Sequence, residues 1–479
     1  MAQTRPYLFY DTATSICTTC FRRVDAKIVF EDDKVYMLKR CPQHGFERVL
    51  MADDVDYYRR CREIFLKPPE MPLHYNTPVK YGCPYDCGLC PDHEQHSCLS
   101  LIEVTDSCNL TCPICYAESG PHRTSFRPLE QIERMMDMVV ANEGQPDIVQ
   151  ISGGEPTIHP EFFAILDAAK RRPIKHLMVN TNGIRIAQEP EFVKRLAGYM
   201  PGFELYLQFD SMRRDPLMQL RGADLRSIRQ KALEHLNEFN ISTTLVVTVA
   251  RGINDSELGD IVEFALQQPC VRGVTFQPVQ QAGRLTNFDS GANRLTLTEV
   301  RRRILEQTKT FAAEDIIPVP CHPDSLAMGY ALKMGGKVTP LTHMVPPEVL
   351  IEGARNTIIY ENEKGVRDHL FKLFATNLSP MAQASTLREL LCCLPQIAAP
   401  SLGYDNLFRI LIVQFIDAQS FDLRSIRKTC IHIAHPDAKR LIPFDTYNMF
   451  YRDGLEQSRL APLRALQQSA LTSVFSSSQ

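Results

Sequence analysis

Leu101-Ile102-Glu103-Val104-Thr105-Asp106-Ser107-Cys108-Asn109-Leu110-Thr111-Cys112-Pro113-Ile114-Cys115-Tyr116 is the most informative stretch of this chain. Its first four residues read as a short buried strand, and three cysteines follow at i, i+4 and i+7 in one loop. Three thiolates so spaced can bind three irons of a [4Fe-4S] cube and leave the fourth iron open. Ordinary ferredoxins give each cluster four cysteines. An open iron suits the binding of a substrate or cosubstrate. Taken alone, the triplet also fits zinc or part of a four-cysteine cluster.

Downstream, strand-like and helix-like segments alternate. Leu101–Val104, Ile148–Ile151, His176–Val179, Leu205–Phe209, Thr244–Val247 and Val274–Phe276 read as strands. Leu129 to Val140 reads as a helix with Ile132, Met135, Met136 and Val139 on one face, and further helices are expected near 161–170, 228–239 and 257–266. Six such units predict an α/β fold, a parallel sheet curved into a partial barrel with its chemistry at the C-terminal strand ends. The second strand ends in Ser152-Gly153-Gly154-Glu155-Pro156. The glycines allow close backbone approach to a ligand, and Glu155 offers an anion to an ammonium group. The third and fourth strands end in Asn180-Thr181-Asn182-Gly183 and Gln208-Phe209-Asp210-Ser211, where loop capping is an equal reading of the polar residues.

The chain has 479 residues, 53 Lys plus Arg and 56 Asp plus Glu, a net charge of −3 that argues against a nucleic-acid partner bound through bulk charge. No apolar run reaches the length of a membrane span, and Met1 to Pro6 lack a signal-peptide core, so a cytoplasmic location is expected. Of 16 cysteines, eleven lie between Cys17 and Cys115, a density that points to metal in a reducing compartment. Cys17-Thr18-Thr19-Cys20 and Cys41-Pro42-Gln43-His44 match a Cys3His ribbon, with strands 27–30 and 35–38 between the knuckles and zinc or mononuclear iron as its metal. Cys83, Cys87 and Cys90 repeat the i, i+4, i+7 spacing, but a short proline-containing segment precedes them and Cys98 follows. These four are assigned to an auxiliary [4Fe-4S] cluster, with structural zinc as the alternative. Cys321 and Cys430, with the vicinal Cys392-Cys393, are candidates for a third cluster or for four unrelated core thiols. Cys61 and Cys270 are read as packing thiols, and Leu407 to Ile416 as a core helix.

With its strand, its Cys108–Cys115 loop, Ile114 before the third cysteine and its Gly-Gly-Glu-Pro segment, the sequence resembles the radical S-adenosylmethionine (SAM) superfamily. The ribbon, the Pro320-Cys321-His322-Pro323-Asp324 stretch and Ile442-Pro443-Phe444-Asp445-Thr446-Tyr447-Asn448 resemble one branch of it, which contains tetraether lipid synthase and a dihydropterin methyltransferase. The resemblance implies a (β/α)6 TIM-like barrel between an N-terminal cysteine-rich metal region and a mainly helical C-terminal region. The expected divisions are 1–65 ribbon, 66–98 auxiliary cluster, 99–285 barrel and 286–479 C-terminal region. It implies that Cys108, Cys112 and Cys115 hold the cluster that cleaves SAM to a 5′-deoxyadenosyl radical, which then abstracts hydrogen from an unactivated C–H bond. Gly153, Gly154 and Glu155 would hold the SAM amino group, Asn180, Asn182 and Asp210 would add polar contacts, and Tyr116 would seat the adenine. The expected reaction is methyl transfer or carbon–carbon coupling on a pterin or lipid, with ferredoxin or flavodoxin as electron donor. A non-catalytic iron–sulfur or zinc scaffold and a peptide-modifying radical SAM enzyme are the alternatives. One departure stands out: the branch leads us to expect cysteine where Asp445 lies, so Asp445 either replaces it as a ligand through oxygen or leaves that ligand absent.

Overall fold

The computed structural model describes residues 5–66, 68–286, 288–334, 336–343 and 404–476. Cys392 and Cys393 lie outside the described residues.

The N-terminal strands Leu8–Ile16, Arg23–Glu31, Lys34–Cys41 and Gly45–Ala52 form an antiparallel meander. Alternation sets its two faces: Val24, Ala26 and Ile28 are buried, while Arg23, Asp25 and Lys27 are exposed. The hairpin between the second and third strands turns on Asp32 and Asp33, both at positive φ (51° and 58°), as a two-residue turn between right-twisted strands requires. The helix Val55–Glu63 follows, capped by Asp54, whose carboxylate accepts from Tyr57 N–H at 2.8 Å.

Six parallel strands form the central wall in sequence order: Leu99–Thr105, Ile148–Gly153, His176–Thr181, Phe203–Gln208, Thr243–Val249 and Val271–Pro278. Helices pack outside it. Leu129–Glu143 turns its expected face inward, with Ile132, Met135, Met136 and Val139 fully buried.

The C-terminal region extends this sheet at both ends. Leu407–Val413 pairs parallel with the sixth strand and antiparallel with Leu326–Met334, and Ile431–Ala434 pairs parallel with the first strand. The helix expected over 407–416 is thus corrected to a strand. Seven apolar-rich residues are too few for periodicity to separate the two, and β-branched Ile410, Ile412 and Val413 favour the pleated form. Gly273 makes the contact possible: a Cβ there would meet Arg409 O at 2.5 Å. The N-terminal end of the wall holds a buried polar network. Glu204 takes Arg409 at 2.7 Å and His176 at 3.1 Å, with Thr244 and Tyr404 also donating to it.

Candidate active site

At the C-terminal end of the first strand, the loop carrying Cys108, Cys112 and Cys115 opens into a cavity that runs down the inside of the wall. Protein contacts fix the loop. Ile114–Cys115 pairs with Arg284–Leu285, and the Arg284 guanidinium donates to Cys112 O at 2.6 Å and Ser119 O at 2.8 Å. All three cysteines line the cavity. Burial pushes the Cys108 thiol up to about 12, so a thiolate there calls for a cation to hold it. The donor set fits a cluster with one open iron. The repeat at Cys83, Cys87 and Cys90 is not among the cavity-lining residues.

Gly153 and Gly154 line the cavity, but their close approach is to the chain itself. A Cβ on Gly153 would lie 2.3 Å from Thr105 O, and one on Gly154 would lie 2.1 Å from Ser107 O. Gly154 N–H donates to Thr105 O at 2.7 Å. Glu155 lines the cavity and also has partners within the chain. Its buried carboxylate accepts from Thr157 N–H and hydroxyl (3.1 and 2.6 Å), the Thr181 hydroxyl (2.8 Å) and Asn182 N–H (2.7 Å). It therefore ties the second strand end to the third and caps the turn Pro156–Ile158. Glu155→Ala should accordingly lower the melting temperature, because several buried donors lose their acceptor at about 1–3 kcal/mol each. An unchanged melting curve beside weakened SAM binding would restore the simpler picture of a carboxylate reserved for SAM.

Asn182 donates to Asn109 Oδ1 at 2.6 Å and so joins the third strand end to the cysteine loop. Asn180 Nδ2 reaches Ser152 Oγ at 3.5 Å, while its Oδ1 is buried with no partner among the described residues. Tyr116 lines the cavity edge-on to Phe444 (5.0 Å), with the Arg452 guanidinium 5.4 Å from its ring. Arg452 is held by Glu103 at 2.7 and 3.1 Å. Asp210 lies off the cavity. Its fully buried carboxylate clamps Arg221 at 2.7 and 2.6 Å. Arg221 is the group that reaches the cavity, near enough to Cys112 for its charge to favour the thiolate. Sequence reading missed Arg221 because nothing local pairs it with a residue eleven positions earlier.

The ribbon ligands converge. The ligand atoms of Cys17, Cys20, Cys41 and His44 lie within 4.8 Å of one another, with Cys20–Cys41 at 3.8 Å and His44 Nδ1 3.5 Å from both Cys17 and Cys41. Zn–S bonds of about 2.3 Å give tetrahedral edges of about 3.8 Å, so the set fits zinc. Burial opposes ionisation of Cys41, but N–H groups of Gln43 and His44 and the His44 ring outweigh it and hold the thiol at about 6.

Cys98 is also corrected. Its sulfur lies within 4.8 Å of Cys321 and Cys430, not grouped with Cys83, Cys87 and Cys90 as expected, and Cys321 and Cys430 are 3.7 Å apart. The reason is the sheet: Cys98 immediately precedes the first strand and Cys430 the strand beside it, so their pairing sets the two thiols side by side. Asp445 is not part of this group. Its carboxylate accepts from Ile416 N–H and from the Thr429 hydroxyl (3.2 Å). Burial raises its pKa to about 7 against both bonds. The folded state therefore binds a proton that the unfolded state releases near 3.9, and stability falls as pH rises between those values. Asp445→Asn should stabilise the protein most at pH 8 and progressively less toward pH 4, read from denaturant midpoints. A pH-independent difference would show that this carboxyl is not the cause.

Comparison with known proteins gives the family. The radical SAM superfamily profile matches residues 102–265, and that of the HMPTM N-terminal zinc ribbon domain matches 9–53. A 7,8-dihydro-6-hydroxymethylpterin dimethyltransferase from Methanocaldococcus jannaschii is 30% identical over 94% of this chain and 95% of its own length. The chain belongs to the radical SAM superfamily. As a radical SAM protein it is also similar to a GTP 3′,8-cyclase from Alkaliphilus metalliredigens, 28% identical over 38% of this chain and 57% of the cyclase. Among solved structures, Streptococcus suis SuiB bound to S-adenosylmethionine is 19% identical over 43% of this chain and 46% of that one, with a TM-score of 0.37. The family implies a [4Fe-4S] cluster and SAM, and the cysteine groups fit further metal sites. The chain is an enzyme of the radical SAM type. No helix among the described residues is long and apolar enough to cross a membrane.

Proposed function

We propose that this radical SAM enzyme methylates a pterin of the 7,8-dihydro-6-hydroxymethylpterin type. The observation that supports this reading is the relation to the Methanocaldococcus dimethyltransferase through nearly the whole chain, whereas the cyclase matches little more than a third of it. When bound, the cluster and SAM would supply a 5′-deoxyadenosyl radical able to remove hydrogen from an unactivated C–H bond; the SAM so cleaved leaves as methionine with its methyl group, so the transferred carbon comes from a second SAM or another one-carbon donor. The protein's own contribution is placement and exclusion of water. Cys108, Cys112 and Cys115 hold three irons. Gly153, Gly154 and Glu155 offer backbone and carboxylate oxygens toward the SAM amino group. Tyr116, wedged between Phe444 and Arg452, presents an aromatic surface for the adenine. A low-potential carrier such as ferredoxin or flavodoxin supplies the electron, and the Cys83 loop and the Cys98–Cys321–Cys430 group hold auxiliary metal.

The test is anaerobic incubation of the reconstituted enzyme with excess strong reductant, excess SAM and 7,8-dihydro-6-hydroxymethylpterin, run with and without an added reduced one-carbon carrier as methyl donor, followed by mass spectrometry. Methylated pterin together with 5′-deoxyadenosine is expected. Production of 5′-deoxyadenosine with every pterin unchanged would refute the substrate assignment.

A further inference from the structure

The sheet that forms the wall does not close on itself. In pairing order it runs from Ile317–Pro318 and Leu326–Met334 at one end to Ile431–Ala434 and Leu441–Pro443 at the other, and no pairing joins these ends among the described residues. Three buried thiols meet across that gap. Cys321 lies between Ile317–Pro318 and Leu326–Met334, so it belongs to one end. Cys98 and Cys430 immediately precede Leu99–Thr105 and Ile431–Ala434, which are paired at the other end. All three sulfurs lie within 4.8 Å of one another, and those of Cys321 and Cys430 are 3.7 Å apart.

That spacing fits one ion. Two thiolates on a single tetrahedral zinc lie about 3.8 Å apart. The ribbon ligands show the same compactness, with Cys20 and Cys41 at 3.8 Å. An iron–sulfur cube puts each thiolate on its own iron, and the separation of the irons spreads the sulfurs farther. Cys108, Cys112 and Cys115, on the loop read as holding a cube, form no such compact set, and neither do Cys83, Cys87 and Cys90. A disulfide would join two of the three sulfurs and leave the third unused. Zinc takes a fourth ligand. His96 is the neighbouring donor: its Nε2 lies 3.6 Å from Cys98 Sγ and 3.6 Å from Glu70 Oε2, outside the compact set, and its Nδ1 lies 2.9 Å from Glu143 Oε2. The group also stands apart from the chemistry. It sits where the strands begin, whereas the Cys108 loop follows the end of the first strand. The strand-start end of a barrel serves stability rather than catalysis.

We propose that Cys98, Cys321 and Cys430 hold one zinc ion that clasps the two ends of the open sheet, in place of a further iron–sulfur cube. Zinc has no redox chemistry, so the site relays no electron to SAM. It is assembled only when both ends of the sheet have come together, and binding there therefore adds directly to folding stability. Leu326 from one end and Ile431 from the other both line the cavity, so the clasp also fixes the wall around the substrate. The proposal is independent of which substrate the enzyme takes.

The test counts zinc, iron and labile sulfide in full-length protein purified with zinc present and then reconstituted with iron and sulfide. The double variant Cys321→Ala, Cys430→Ala should fall from about two zinc ions per chain, ribbon and clasp, to about one. Its iron and sulfide should stay at wild-type values, and its melting temperature should drop. Loss of about four irons with their sulfide while zinc is unchanged would overturn the proposal, because that is the content of a cube. Unchanged metal, or a lost zinc with an unchanged melting curve, would overturn it as well. Should the double variant fail to fold, the wild type decides. Elemental analysis should give about two zinc ions per chain, and zinc X-ray absorption about three sulfurs and one lighter ligand around each. A single zinc per chain would refute the clasp.

Discussion

The triple variant Cys108→Ala, Cys112→Ala, Cys115→Ala should show no detectable reductive SAM cleavage while keeping the ribbon metal. All three sulfurs come from one loop that opens on the cavity, and no other cysteine among the described residues lines that cavity. The second triplet cannot take over, because Cys83, Cys87 and Cys90 lie off the cavity. The loop should survive the loss of its metal. Arg284 holds it through backbone carbonyls, and Ile114–Cys115 keeps its strand partner. Iron should therefore fall by about four atoms per chain, one cube, while zinc is unchanged. Chromatography of 5′-deoxyadenosine and elemental analysis make the two measurements. Cleavage that persists here and vanishes instead on changing Cys83, Cys87 and Cys90 would mean the two triplets have been exchanged.

Asp210→Asn should destabilise the fold by about 3–5 kcal/mol, the range found when one partner of a buried ion pair is removed. The Asp210 carboxylate is fully buried, doubly bonded to Arg221, 3.1 Å from Thr248 N–H and 3.8 Å from Arg229 Nη2. Arg229 is itself buried and bonded to Asn182 O, with Nε and Nη2 otherwise unpartnered among the described residues. Without the carboxylate, two guanidinium groups face each other in an apolar setting. Burial alone would raise the Asp210 pKa, but Arg221 outweighs it and holds the group below the ordinary carboxylate value. Its contribution is therefore complete above the unfolded value of about 3.9 and is lost as pH falls through the lower folded value. The gap between wild type and variant should be widest at neutral pH and close on acidification. Adding Arg221→Met to Asp210→Asn should recover part of the loss, because it removes a stranded charge. A neutral Asp210→Asn at pH 7 would refute the clamp.

Of the candidate site, the parts legible in sequence were those made by neighbours in the chain. Cys108, Cys112 and Cys115 need only one loop to converge, and the ribbon ligands need only a hairpin and two turns. The six parallel strands were legible because each is a buried apolar run followed by a helix whose apolar face repeats along it, as Ile132, Met135, Met136 and Val139 show. Helices Ile184–Gln188, Pro190–Ala197 and Arg214–Arg221 were missed: they are short, and the last carries too few apolar residues for a clear period.

By itself, then, the sequence determined the metal-binding loops and the repeating strand–helix units, since both are written in spacing along a few residues. Tertiary structure decided what each polar group does once there. Cys98 meets Cys321 and Cys430 because the strands after Cys98 and Cys430 pair. Leu407–Val413 is a strand because the sixth strand offered it an edge. Asp210 bonds Arg221, and Glu155 bonds Thr157, Thr181 and Asn182. Gln150 and Asn180 line the cavity, each with a buried amide atom unpartnered among the described residues. A buried polar group must find its partner wherever packing brings one, and separation along the chain does not limit that choice.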